Sequence, residues 1–262
     1  MEHATSLGIE PKLWEERIGK EGAISIEQGE WLDNLVFAYN ILINMNNTHK
    51  YIQLLENQIK ILFSKIYIEF TDSFSINDLI DAWQFRKYDP FLAFEWREPS
   101  LFEEFEKKEC TLLKKDKLNN SKAFKIFTMY HESSCIENYS KIIEISTSST
   151  ISIIVIRELQ NEMIKLLNQK NIAIESLPTS NVRISFYKEY SEHHIKRWLG
   201  LNNKNDPMPS VVLGSDDPGI FATNLKNEYC HVFQMIEIEH GKKEAEHCLH
   251  YLQSNSEKFA FK

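Results

Sequence analysis

The sequence predicts a helix-rich α/β fold, and three observations predict it. Apolar residues recur at three- and four-residue steps through most of the 262-residue chain, the spacing of helices with one buried face. Two short β-branched runs, residues 172–175 and 211–213, are each cut off by small or turn-forming residues, and a polar, helical link of more than a dozen residues separates them. That is the pattern of neighbouring parallel strands joined by a crossover. Only 8 glycines and 7 prolines occur, too few for a chain built from many tight turns.

In chain order, Pro11 opens a short helix over PKLWEERIG that ends near Gly19. Trp31, Leu32, Leu35, Val36, Tyr39, Leu42 and Ile43 stripe a helix from about residue 30 to 45. Tyr51, Leu55, Ile59, Leu62 and Ile66 stripe a second, with Asn46-Asn47-Thr48 as the break, so an antiparallel pair is expected. Ser75 precedes a third helix, with Asp78 at the capping-box position. Residues 88–120 read as irregular, with Pro90 and Pro99 as breakers. Their aromatics Phe91, Phe94, Trp96 and Phe102 either cover the local core or anchor the segment to a neighbour, and the charged run 107–117 reads as a solvated loop or helix end. Residues 121–129 and 136–145 read as short helices, with 147–150 as a polar link. Residues 151–170 begin with ISIIVI but keep a helical period, so a helix leads into the 172–175 strand. A helix at 191–199, the 211–213 strand, a helix striped by Leu225, Tyr229, Val232, Phe233 and Ile236, and a last helix over about 242–252 complete the reading.

At the end of the second run stand two adjacent carboxylates, Asp216 and Asp217, followed by Pro218 and Gly219. A strand that delivers carboxylates into a turn sets them on the C-terminal rim of a sheet, where parallel barrels do their chemistry. Spacing alone equally allows these acids to cap the helix that follows. Other candidates carry less. His247 and His250 share a helical face beside Cys248, but such a pair supplies only two metal ligands. The adjacent His193 and His194 would point about 100° apart on a helix, and Cys230 reads as a core residue.

Composition excludes several classes. The net charge is −8, with no basic block to follow a nucleic-acid backbone. No segment approaches the roughly 20 apolar residues of a membrane span, and the first residues lack the basic flank and apolar run of a signal peptide. Four scattered cysteines without a C-x-x-C pair fit reduced thiols and a cytoplasmic protein.

Three motifs carry a family resemblance. Leu177-Pro178-Thr179-Ser180-Asn181 resembles the seventh-strand P-T-S-N of the adenosine and AMP deaminases, and Ser215-Asp216-Asp217-Pro218 resembles their eighth-strand T/S-D-D-P. Glu2-His3-Ala4-Thr5 is similar to the sixth-strand G-H-A/G-T, with Glu2 in place of the family's glycine. The resemblance implies that Asp216 ligates a catalytic zinc, that Asp217 holds the purine ring and takes part in catalysis, and that His3 faces the attacking water. Thr179, Ser180 and Asn181 are expected to order their turn. The long span between His3 and residue 172, with HATSLGIEPKLW and EWLDNL, looks most like the large deaminase subunit of RADAR-type antiphage systems.

The family's H-x-H and H-A-x-E motifs, which supply the other zinc ligands and the catalytic glutamate, are absent. One aspartate cannot hold a catalytic zinc, which takes three protein ligands. The resemblance therefore implies the C-terminal portion of a TIM-barrel (β/α)8 deaminase, last strands only, with a large helical insertion. Residues 1–9 would be the end of the sixth strand and its loop, 10–150 the insertion and 151–262 the last two βα units. Such a chain, inactive alone, would need an N-terminal deaminase half or further copies of itself, and would act on a purine nucleoside or nucleotide. The alternative is a non-catalytic remnant serving as an assembly or binding module.

Overall fold

A computed structural model describes residues 5–18, 23–43, 49–93, 102–146, 153–185 and 187–260. The chain divides into two compact units, one made of Met1–Gly22 and Ile151–Lys262, the other of Ala23–Thr150. The elements in chain order are α1 (Thr5–Gly8), α2 (Pro11–Ile18), β1 (Ala23–Glu27), α3 (Gln28–Leu42), α4 (His49–Ile66), α5 (Ile76–Phe85), α6 (Pro90–Ala93), α7 (Glu104–Asn119), α8 (Ser121–Tyr130), α9 (Ser133–Tyr139) and β2 (Ile142–Ser146). There follow α10 (Ile153–Gln169), β3 (Ile174–Ser176), α11 (Pro178–Ile184), a 3₁₀ turn at Tyr190–Glu192, α12 (Ile195–Trp198), β4 (Val211–Leu213), α13 (Pro218–Phe221), α14 (Leu225–His240) and α15 (Lys242–Phe259). The fold is helix-rich α/β. None of the described helices is long and apolar enough to cross a membrane.

Within the Ala23–Thr150 unit, α3 and α4 pack together through Leu35, Val36, Leu42, Leu55 and Ile59, all essentially without exposed surface. The Asn46-Asn47-Thr48 break between them and the 147–150 link lie outside the described residues. Helix α5 starts as its sequence dictates: Ser75 Oγ accepts the Asp78 N–H at 3.2 Å, and Asp78 Oδ2 accepts the Ser75 N–H at 2.7 Å. Both free donors are satisfied reciprocally, so Ser75→Ala is expected to lower stability by about 1 kcal/mol. Urea unfolding followed by circular dichroism reads this directly. Asp33 ties α3 to α5 and α9, accepting from Trp83 Nε1 at 3.0 Å, Arg86 Nη1 at 2.7 Å and Tyr139 Oη at 3.0 Å.

Two expectations for this unit require correction. The charged run 107–117 lies inside α7, which begins with its own capping box between Glu103 and Glu106. Among the residues of α7 only Glu106 and Leu113 are buried, so no apolar stripe exists to announce the helix. Residues 136–145 do not form one helix: α9 ends at Tyr139, and Ile142–Ser146 pairs antiparallel with Ala23–Glu27, Ile24 opposite Ile145 and Ile26 opposite Ile143. Its exposure alternates residue by residue, the signature of a strand covered on one side. Of the four aromatics, Phe102 is buried and Phe91 is exposed, while Phe94 and Trp96 lie outside the described residues.

The other unit holds the two β-branched runs. Strands β3 and β4 are parallel neighbours, with Ile174 opposite Val211, Glu175 opposite Val212 and Ser176 opposite Leu213. The first strand sits two residues later than its hydrophobic run begins. The end of α10 is prolonged by an Ile172 N–H to Leu167 carbonyl bond and a left-handed Asn171 at φ 52°, which consume the start of the run. Ile174, Val211 and Leu213 enter a core with Ile164, Trp198, Val232, Ile236 and Leu252 from the surrounding helices. Helix α15 closes against β4, where Asn255 Nδ2 donates to the Val211 carbonyl at 3.0 Å. Cys230, expected in the core, is exposed on α14, whereas Cys248 is buried on α15.

The expected 191–199 helix is broken in two. His193 is extended, with φ −65° and ψ 136°, and its Nδ1 accepts the Ile195 N–H at 3.1 Å, so α12 begins only at Ile195. The N-terminal segment belongs to this same unit and is pinned to α10. Gln160 Nε2 donates to the carbonyls of Ser6 at 2.8 Å and Ile9 at 2.9 Å. Buried Arg197 in turn donates to Gln160, to Asn161 at 2.8 Å and to Asp206 at 3.0 Å. Gly8 is required at its place, because a Cβ there would come within 2.5 Å of the His194 ring and 2.8 Å of Trp198.

Candidate functional site at the strand ends

Parallel pairing sends both strands toward the same rim, and the two motif-bearing turns leave from it. The ladder extends one step past β4, where the Gly214 N–H donates to the Ser176 carbonyl at 3.0 Å. A Cβ at Gly214 would fall 2.1 Å from Glu175 Oε1 and 2.7 Å from Leu177 Cδ2. Glycine thus lets the two strand ends close on each other, and the turns beyond them come into contact.

Asp216 adopts φ 55°, a left-handed conformation that aspartate tolerates better than most residues. Its side chain is held at both oxygens: Oδ2 accepts the Ser180 hydroxyl at 2.6 Å, and Oδ1 accepts the Asp217 N–H at 2.9 Å. Asp217 Oδ1 accepts the N–H groups of Gly219 at 2.9 Å and Ile220 at 3.2 Å, capping α13. The capping reading therefore applies to Asp217 and not to Asp216. Both acids are exposed to solvent.

Pro178 stands in the first turn of α11, where its missing N–H costs nothing, and Pro178, Thr179, Ser180 and Asn181 are all buried. Ser180 reaches Asp216, while Asn181 Oδ1 lies 3.1 Å from His193 Nε2. Because His193 Nδ1 accepts from Ile195, the ring carries its proton on Nε2 and donates it to Asn181. His193 and His194 do not diverge as on a helix; their rings stack with centroids 4.1 Å apart. His194 Nδ1 meets the Tyr187 hydroxyl at 2.6 Å. Burial holds both imidazoles neutral, pushing His193 down to about 3 and His194 well below its ordinary value, where the neighbouring His193 and Arg197 add to the effect.

Glu228 escaped the sequence reading. It is fully buried and accepts from the Thr179 backbone, the Thr179 hydroxyl and the Thr223 hydroxyl. A signal was there to find, since Leu225, Glu228, Tyr229 and Val232 follow i, i+3, i+4, i+7, so an acidic residue interrupts an apolar stripe.

Residues 154–261 match the family described as adenosine deaminase. They include both the Pro178–Asn181 turn and the Asp216-Asp217 pair. An adenosine deaminase of Shewanella loihica is 34% identical over 100 residues, which are 38% of this chain and 27% of that protein. An adenosine deaminase of Plasmodium vivax is 35% identical over 68 residues, 26% of this chain and 17% of its own. An N6-methyl-AMP deaminase of Danio rerio is 41% identical over 61 residues, 23% of this chain and 16% of its own. These findings support the adenosine/AMP deaminase family. The chain spans 27% of the bacterial relative's length and 16–17% of the other two.

His3 lies outside both the matched span and the described residues, as does Glu2. The family's relatives raise the question of zinc, and the donor set answers it for the described residues. No group of three or more His, Cys, Asp or Glu side chains is placed to hold a metal ion. His247 and His250 are exposed on α15, and Cys248 beside them is buried. The described residues therefore do not make a zinc site by themselves, since a catalytic zinc takes three protein ligands.

Proposed function

We propose that this chain is the C-terminal part of a purine deaminase barrel, supplying its last strands to hydrolytic deamination at C6 of a purine nucleoside or nucleotide. In this reading β3 is the seventh strand and β4 the eighth, residues 1–9 hold the end of the sixth strand and the loop after it, in which α1 lies, 10–150 are a mainly helical insertion, and 151–262 are the last two βα units. Asp216 serves as a zinc ligand, Asp217 holds the purine ring and takes part in catalysis, and His3 stabilises the charge that develops on attack by water. The observation that carries the reading is the Ser180 hydroxyl on Asp216 Oδ2 at 2.6 Å, which puts the two family motifs in direct contact at one rim.

The H-x-H and H-A-x-E motifs, absent from these 262 residues, would come from outside them, in further sequence or in another subunit. Zinc would be bound only in that completed assembly. The motifs around His3 and the long insertion favour a place in antiphage defence of the RADAR type, inside a homo-oligomer or larger complex.

A second reading follows from the same donor set. With one metal ligand at the rim, the unit would persist as a non-catalytic assembly or binding module built on the insertion helices. Production of this chain together with a deaminase segment carrying H-x-H and H-A-x-E decides between them. Formation of a complex that holds zinc and converts adenosine to inosine is expected, read by elemental analysis and chromatography. A chain that forms no complex and gives no turnover establishes the module.

A further inference from the structure

Glu228 joins the two turns that hold the acid pair. Its Oε2 accepts the Thr179 backbone N–H at 2.9 Å, and its Oε1 accepts the Thr179 hydroxyl at 2.6 Å and the Thr223 hydroxyl. Thr179 immediately precedes Ser180, which donates to Asp216. Thr223 immediately follows the turn that Asp217 caps, just after the left-handed Ala222 at φ 48°. One carboxylate on a sixteen-residue helix thus bonds to the residue before Ser180 and to the residue that follows the Asp217-capped turn.

A carboxylate is costly to bury unless donors replace the water it loses, and an apolar side chain at this position of the stripe would pack α14 without that cost. Two of the three donors come from Thr179 in the first motif and the third from Thr223, just past the turn that follows the second. The bridge also has a defined direction of action. Pulling on Thr179 moves Ser180 and with it Asp216 Oδ2, and pulling on Thr223 moves the end of α13, whose first N–H groups are bound by Asp217.

We propose that Glu228 is a positioning residue for Asp216 and Asp217, setting the spacing between the two acids while touching no substrate. Its consequence for turnover rests on the deaminase reading above; its effect on the turns does not. The test compares wild type with Thr223→Val and Glu228→Gln in the full chain, following hydrogen exchange by NMR. The reporters are the amides of Asp217, Gly219 and Ile220, which bond to the two acid side chains. The references are the amides of Ile174 and Gly214, which lie in the strand ladder. Loss of one bond to a charged acceptor is expected to speed exchange about tenfold at the three reporters. The references should stay within about twofold, the insensitivity expected of sites beyond the local opening. Uniform acceleration at reporters and references, or none at the reporters, overturns the proposal. Should Glu228→Gln fail to fold, Thr223→Val decides alone, because it leaves Glu228 both of its Thr179 donors.

In the completed assembly the same variants should lower kcat and leave KM within about twofold, as expected when a group acts only on the placement of reacting residues. Selective exchange at the reporters without any adenosine turnover in wild type would leave the positioning role standing and remove the deaminase reading. Turnover with uniform exchange would do the reverse.

Discussion

In an assembly that turns over adenosine, Asp216→Asn should lower the rate by about a thousandfold, the scale on which removing a single electrostatic group from a preorganised site acts. Asparagine is the informative replacement because it separates charge from shape. It tolerates the left-handed backbone at φ 55° as well as aspartate does, and its one side-chain oxygen can still accept the Ser180 hydroxyl, at the loss of the bond from the Asp217 N–H. Stability should therefore fall by only about 1 kcal/mol, the net worth of one hydrogen bond. Alanine would confound the two effects. It would forfeit both side-chain bonds and hold a left-handed conformation at a cost of roughly 1–2 kcal/mol. Parallel urea unfolding and chromatographic assay of Asp216→Asn distinguish the possibilities. A stable variant with intact turnover would mean that Asp216 merely orders its turn, and the rim would lose its claim to be the reacting face.

Much of this rim was legible in the sequence because its determinants are local. The 211–213 strand is three apolar residues bounded by Ser210 and Gly214, and it forms where the pattern puts it. Ser75 and Asp78 specify a helix start within four residues, and the structure obeys. What failed was decided at a distance. Strand β1 pairs with β2, from the far end of its unit's sequence, and neither run shows a partner to a local window. Helix α7 carries charge on nearly every face and gave no period to read. The break before α12 is made by one imidazole accepting one backbone N–H, which no hydrophobic pattern encodes. At the site, the motifs located Asp216 and Ser180 but not Glu228. Its significance lies in who donates to it, and those donors are brought together only by the parallel pairing.

Acidification from pH 7 to pH 5 should destabilise the C-terminal unit through its two buried histidines. His193 and His194 are buried and neutral in the fold, with His193 pushed down to about 3 and His194 well below its ordinary value of 6.5. In the unfolded chain both titrate near 6.5, so below that pH the unfolded state binds more protons than the folded one. Stability must then fall as pH falls, by about 1.4 kcal/mol per pH unit for each histidine. Between pH 6.5 and pH 5 the pair would remove roughly 3 kcal/mol, a large share of a domain's usual 5–15 kcal/mol. Asp206 acts in a lower window. Asp206 is lowered from 3.8 by its bonds to Arg157 and Arg197, against the opposing effect of its burial, so the stability it confers is retained at pH 5 and lost only as pH drops through its ordinary value and below. His131, also lowered by burial, belongs to the other unit and contributes equally to wild type and variant. The measurement is the slope of unfolding free energy against pH from 7 to 5, for wild type and His193→Gln. Glutamine can donate to Asn181 in place of Nε2 but cannot titrate, so the slope contributed by the pair should be halved. An unchanged slope would show that the stacked imidazoles take up protons without unfolding, which their burial and the N–H that His193 Nδ1 accepts from Ile195 oppose.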